Sequence, residues 1–530
     1  MIERISRSAF RNEQGGVVET LIRSARATAH VVILALAVAL VLGLGGPWGW
    51  LLAIGVGGFL AAATCSGVFS AAVIGGLAGA LGTGWAVAIY RAPRAVEALQ
   101  GWKGGYPGTK VHVQFLAPLI RSSAVNGRWG AAAIGLFLVL VVGVVLIAMS
   151  SQWLLKRMSA DRARASRVVF GTIAVTAVAA ALVLSSFSGP FRHQSSAPLR
   201  AGGYSFDAAI YMNVYFNLLD GMPYYEGFVK AAAGDSRLIA EKSVRDGQFY
   251  GWVYSPSFVR MPWTFYLWRL LAPHGHLWYT SLLLCVIALY AVWWGLYPVL
   301  SVRAALIPPV LFPLLMMCTA WLNMFFPDWW AGLAILFSVM FQIRKRYVLA
   351  GVLALLAGVF RDVALIWLVL LLLHALARSW KGGAQWRRLT ALYALFLAGF
   401  FALYFFHLRA AAPFVAPQPG AIGIGGRLAV SAANTFAQRF FVPASYMMVA
   451  YGTALGARAL FVFAQLPGWW LVLRRDREAL WPVFSFALFW MVFTATVGAT
   501  SSYWGQIYTP VAVVGAAALL ALAVPSVDAK

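Results

Sequence analysis

The chain has 530 residues, 62% of them hydrophobic and only 11% charged, with 41 Lys plus Arg against 16 Asp plus Glu. Soluble domains carry about 25% charged residues, so the composition excludes an ordinary soluble enzyme or binding domain. The formal charge of +25 needs no nucleic-acid partner: basic loops facing anionic membrane lipid account for it.

Apolar runs of about 20 residues, enough to cross the hydrocarbon core as helices, recur from residue 28 to residue 524. Spans are predicted to begin near Thr28, Trp48, Gly67, Trp129, Val168, His276, Ser301, Trp329, Tyr347, Val363, Leu389, Tyr446, Leu480 and Tyr503. The expected fold is all-α, a polytopic transmembrane bundle of about 12–14 helices. Residues 1–27 are polar and no A-x-A cleavage site follows, so the first span is read as a retained anchor. Cys65, Cys285 and Cys318 all fall in apolar runs, which argues against a disulfide framework.

Two regions are expected. Residues 1–165 are rich in Gly and Ala, suited to close helix packing, and form an N-terminal accessory transmembrane region. Residues 166–530 hold the chemistry-bearing groups, with 189–275 as the main extracytoplasmic loop. Basic clusters set the orientation. Lys156 to Arg167, Arg344 to Arg346, Arg378 to Arg388 and Arg474 to Arg477 each separate two spans. Placing all four in the cytoplasm of an inner-membrane protein satisfies the positive-inside rule. Loop 189–275, the turn at Asp328, the Arg361–Asp362 pair, the 409–445 loop and the Tyr503 region then share the outer side. The basic loop 91–128 runs against this count.

Six of the 16 acids (Asp207, Asp220, Glu226, Asp235, Glu241 and Asp246) lie in the 189–275 loop. Asp207, Tyr211 and Tyr215 are four apart, which on a helix puts a carboxylate and two phenols on one face. An N-cap role for Asp207 is the plain alternative. An ionisable group kept beside a bilayer nonetheless points to function. The same holds for Arg361, set in the apolar run LLAGVFRDVALIWLVLLL, where a simple staple to Asp362 is the competing explanation. His274 and His276 form an H-x-H pair with no acid or Cys at ligand spacing, and His374 and His407 read as helix-end residues.

The loop then continues through LLDGMPYYEGF and YGWVYSPSF. Together these residues resemble the GT-C superfamily of glycosyltransferases, multi-span enzymes that take sugars from polyprenyl-phosphate carriers. The family's outer-loop pattern D-x-x-x-Y, G-x-x-x-Y, Y-x-P is matched by Asp207–Tyr211, Gly221–Tyr224/Tyr225 and Tyr254–Pro256. FFPDWWAGLAILF is similar to the span that carries a second acid, here Asp328, and SSYWGQIYTP to the last outer corner. The likeness runs over 168–530. It departs from the family in having some four spans before the acidic loop and an insertion from Lys230 to Gln248.

The resemblance implies an inverting transfer of a sugar from a polyprenyl-phosphate donor to a hydroxyl of a glycan or lipid acceptor. Asp207 is the expected general base and Asp328 its catalytic companion. Arg361, Arg260, Arg245, Lys242, Arg427 and Arg439 are the candidates for the donor phosphate, since guanidinium pairs with phosphate oxygens in two places at once. Tyr211, Tyr215, Tyr225, Tyr254, Trp504 and Gln506 are expected to line the substrate site. No cofactor is required, although Asp207 and Asp328 are a possible pair of ligands for a divalent cation. The rival class is a multi-span transporter or flippase of a lipid-linked or anionic solute, which predicts two related halves and polar groups at mid-membrane.

Overall fold

The computed structural model describes residues 206–233, 244–245, 248–249, 260–273, 277–300, 304–309, 325–414, 455–497 and 505–521. The expected accessory region 1–165 lies outside them, as do Lys242, Tyr254, Arg427, Arg439 and Trp504. What is described is nearly all helical. Two loop helices come first, α1 (Phe206–Leu219) and α2 (Tyr224–Ala233). Strands β1 (Val244–Arg245) and β2 (Gln248–Phe249) follow, paired antiparallel with Val244 opposite Phe249. This short hairpin lies largely within the predicted insertion and is the one departure from an all-helical chain among the described residues. Next come α3 (Pro262–Leu271), α4 (Leu277–Leu296), α5 (Pro327–Ile343), α6 (Tyr347–Phe360), α7 (Ile366–Trp380), α8 (Ala384–Ala411), α9 (Leu455–Leu473), α10 (Arg477–Val497) and α11 (Gly505–Ala521).

The loop helices fold back on themselves for a local reason. Helix α1 ends where Gly221 takes φ +87°, a left-handed conformation open to glycine without a Cβ penalty. The amides of Gly221 and Met222 then cap the carbonyls of Leu218 and Asn217. The Asn217 side chain donates to the Gly227 carbonyl at 2.8 Å and staples α1 to α2. Helix α1 is buried almost all round from Ile210 to Leu218, not along a single aromatic face.

Helices α5 to α8 run alternately up and down, α5 packing on α6 and α7 on α8. Helices α3 and α5 both begin with proline at the first helical position, where the missing N–H costs no hydrogen bond. Among the described residues two segments, Asp362–Trp380 and Ala384–Phe414, are long and apolar enough to cross a bilayer. Only 33% and 17% of their apolar windows are buried, the opposite of a soluble core helix. Leu395, Phe401, Phe405 and Phe406 of α8 are all more than half exposed.

At one end of these helices the α5–α6, α7–α8 and α9–α10 turns meet at Glu478. Its carboxylate accepts from Tyr347 at 2.5 Å and from Arg378 at 2.6 Å, and its carbonyl accepts from Gln342 at 3.0 Å. The Tyr347 hydroxyl, followed by the Arg378 guanidinium, holds the Glu478 carboxyl below its ordinary 4.5. A carboxyl with a depressed folded value contributes stability fully above the ordinary value, and that contribution fades as pH falls through the lowered one. Glu478→Gln is therefore expected to lower stability by about 1 kcal/mol at neutral pH, the scale of a part-exposed pair. The deficit should shrink in acid, as melting curves from pH 7 to pH 3 would record.

Helices α9 and α11 cross with almost no space between backbones. A Cβ on Gly468 would stand 1.9 Å from the Gly515 carbonyl oxygen, and one on Gly515 would strike the Trp469 ring. Trp469 spans the crossing and donates to the Val511 carbonyl at 3.2 Å. Such approach through small residues is what holds helices together where burial against water gives no drive.

Candidate functional site

The opposite end gathers the polar groups. Helix α6 stops after 14 residues because Arg361 is extended (φ −149°, ψ 114°), and a 3₁₀ turn over Asp362–Leu365 leads into α7. This break turns the Arg361 side chain inward, where it is 2% exposed. Its Nε donates to Asp328 Oδ1 at 2.8 Å and its Nη1 to Asp362 Oδ1 at 3.1 Å. Asp328 stands in the first turn of α5, where a carboxylate also complements the helix dipole, and it is fully buried. Asp362 keeps a side-chain exposure of 32% and accepts from the Val363 amide at 3.0 Å. Arg361 thus sits between two acids, a wider ion pair than a staple to Asp362 alone.

A small cleft opens over Arg361 and Asp362. Arg260, Met261, Phe360, Arg361, Asp362, Tyr404 and His407 line it. Three stretches of chain meet there: the segment entering α3, the α6–α7 break, and the C-terminal part of α8. Arg260 is positioned from the loop side, its Nε donating to the Tyr211 hydroxyl at 2.8 Å. Its carbonyl accepts from Tyr224 at 2.5 Å. Burial first, and then the neighbouring phenols Tyr225 and Tyr211, hold the Tyr224 hydroxyl well above its ordinary 10, so it stays a donor.

The predicted site residues separate into three groups. Arg260 and Arg361 come together at the cleft, with Asp328 directly behind Arg361. Tyr211 and Tyr215 are buried supports and do not line the cleft: Tyr211 orients Arg260, and Tyr215 donates to the Ala272 carbonyl that ends α3. Tyr225 packs against the cleft wall, its hydroxyl 3.1 Å from His407 Nδ1. Asp207 is the second residue of α1, one turn before Tyr211, and Arg245 and Gln506 lie in β1 and α11; the side chains of these three fall outside the described part.

Sequence reasoning passed over Tyr404 and read His407 as an ordinary helix-end residue. The signal was present: they are three apart in LYFFHLRA, on one helix face, and a histidine inside an apolar run invites a functional reading. Among the described residues no group of three His, Cys, Asp or Glu side chains is placed to hold a metal ion. No protein-family model, no curated protein and no solved structure matches the chain.

Proposed function

We propose that the protein is a polytopic inner-membrane glycosyltransferase of the GT-C kind, working on the extracytoplasmic face with a polyprenyl-phosphate-linked sugar as donor. One observation carries the reading. Two guanidinium groups, Arg260 from the loop and Arg361 from a helix break, line one cleft, and Tyr211, which holds Arg260, is one turn from Asp207. Phosphate is the ligand that such a pair of donors suits. The bare apolar faces of α7 and α8 support a membrane setting, and the basic turns at the other end fit the cytoplasmic side.

In this reading the acceptor hydroxyl attacks the anomeric carbon while Asp207 takes its proton. The sugar–phosphate bond breaks in the same displacement, the configuration inverts, and the charge gathering on the departing phosphate is met by Arg260 and Arg361. Asp328 and Asp362 hold the Arg361 guanidinium in place. The acceptor, a glycan or a lipid hydroxyl, approaches from the α1 side.

Purified full-length protein in lipid, given a panel of polyprenyl-phosphate sugars and hydroxyl acceptors, is expected to transfer one of them. Asp207→Asn should lower that rate by about 10²–10⁴, the range for loss of a general base, with elution and melting unchanged. Undiminished transfer by a folded Asp207→Asn would take the base role from Asp207. Solute flux through vesicles without any sugar transfer would replace the enzyme with a transporter.

A further inference from the structure

Helix α3 is apolar on the side it shows as well as on the side it buries. Phe265 and Trp268 are fully buried, their rings 5.0 Å apart, and Trp330 of α5 lies 5.8 Å from Trp268. Thr264, on the same side, donates to the Phe360 carbonyl at 3.4 Å, which sets α3 level with the last residue of α6. Trp263, Tyr266 and Leu270 stand on the opposite side at i, i+3 and i+7, which is one helical face. All three are exposed, Leu270 to 76%. Arg269, at the edge of that face, is the only charged residue of the helix.

The other two loop helices present nothing of the kind. Helix α1 is buried nearly all round, and α2 exposes Glu226 and Lys230, one turn apart and opposite in charge. A face of Trp, Tyr and Leu is costly to leave in water, and the neighbours of α3 indicate what covers it. Arg260 and Met261, which lead into α3, line the same cleft as Tyr404 and His407 of α8. Phe405 and Phe406, between those two in sequence, are exposed. The bare side of α8, a helix long and apolar enough to cross a bilayer, thus reaches the level at which α3 begins. Trp and Tyr are the side chains enriched at the headgroup level of a membrane. A helix lying in that plane sinks its apolar face about 5–10 Å into the headgroup–acyl boundary. An arginine at the edge covers apolar surface with its stem and keeps its guanidinium in water.

We propose that α3 lies in the outer leaflet of the membrane, with Trp263, Tyr266 and Leu270 in the headgroup–acyl boundary and Arg269 at its rim. The partner is the lipid surface, and of the three loop helices only α3 touches it. Arg260 stands two residues before Pro262, the first residue of α3, so seating α3 in the leaflet fixes the depth of that guanidinium as well. The inference rests on the membrane setting and needs neither sugar nor donor.

The test uses the full chain with Cys65, Cys285 and Cys318 replaced by alanine, in nanodiscs of phosphatidylcholine and phosphatidylglycerol. A nitroxide is attached to one new cysteine at a time. Leu270→Cys and Trp263→Cys probe the face, Phe405→Cys is the lipid reference and Lys230→Cys the water reference. Labels on the face should collide more with oxygen than with a water-soluble nickel chelate, as at Phe405, and the order should reverse at Lys230. A nickel-dominated signal at Leu270 puts the face in water and overturns the proposal. A Leu270 label shielded from both agents reports a protein neighbour, a second copy included, and overturns it equally. A water-like reading at Phe405 removes the bilayer, and the proposal with it.

If the cysteine-free chain does not fold, a benzophenone amino acid in place of Leu270 in the otherwise unaltered chain decides the matter. A phospholipid adduct is expected by mass, and a cross-linked dimer or no adduct overturns the proposal. Sugar transfer by the same nanodiscs bears on the proposed function alone, so either reading can fail without the other.

Discussion

Arg361→Met is expected to destabilise the protein by about 3–5 kcal/mol, the range for removing one partner of a buried ion pair. The reason is what remains behind. Asp328 is fully buried and faces Arg361 at 2.8 Å, and Asp362 approaches the same guanidinium at 3.1 Å. Without the cation, two carboxylates share one site, and Asp328 has no route to water. Asp328 Oδ2 already lacks a hydrogen-bond partner among the described residues, which leaves the ion pair as the main offset to its burial. The double variant Asp328→Asn/Arg361→Met should therefore recover part of the loss, since a neutral amide is far easier to bury than an orphaned carboxylate. Thermal unfolding in detergent, run as a double-mutant cycle, measures the coupling. Independent, additive losses would show that Asp328 and Arg361 do not stabilise one another. If the protein transfers sugar as proposed, that activity should vanish in both variants, because the double variant restores the packing and not the cation.

Gly468→Val should be comparably damaging, for a purely steric reason. The Cβ it adds would lie 1.9 Å from the carbonyl oxygen of Gly515, which is backbone and has no rotamer to yield. Helices α9 and α11 must separate, and the Trp469–Val511 hydrogen bond at 3.2 Å is lost with them. Forced overpacking typically costs about 1–3 kcal/mol, and a backbone collision belongs at or above the top of that range. Gly399→Ala on α8 is the matched control: no atom lies within 4 Å of its new Cβ. It should be neutral or slightly stabilising, by up to about 1 kcal/mol. The yield of monodisperse protein and its melting temperature distinguish the two, and a Gly468→Val protein that melts with wild type would refute the crossing.

The helices of 325–414 were legible because apolar periodicity and punctuation agree there. Spans predicted to begin near Trp329, Tyr347 and Val363 correspond to α5, α6 and α7, starting at Pro327, Tyr347 and Ile366. Proline at 327, the Arg344–Arg346 cluster and the Arg361–Asp362 pair mark their ends. The meeting of Arg260 with Arg361 was not legible. It depends on how a loop helix docks on spans a hundred residues away, which no local pattern encodes. The partnership of Asp328 with Arg361 was hidden for the same reason: 33 residues separate them, and each alone resembles an isolated polar residue at a helix end. The three-residue spacing of Tyr404 and His407 was visible, yet an imidazole near a helix terminus is so ordinary that only its place on the cleft gives it weight. Helix α1 shows the converse. Its four-residue spacing puts Tyr211 and Tyr215 on one face, but gives no sign that packing by α2 and α3 buries nearly every other side as well.

Glu478 has a mechanical corollary. By clasping Tyr347, Arg378 and Gln342 at once, it welds three helical hairpins at one extremity and removes their freedom to splay. At the far extremity the Arg361–Asp328–Asp362 triad ties α5 to the α6–α7 break, while the loop helices lean on α8 through stacked rings and on Arg260 through two phenols. The loop helices are thus seated by rings and phenols, separately from the ionic clasp that fixes the other end of the bundle.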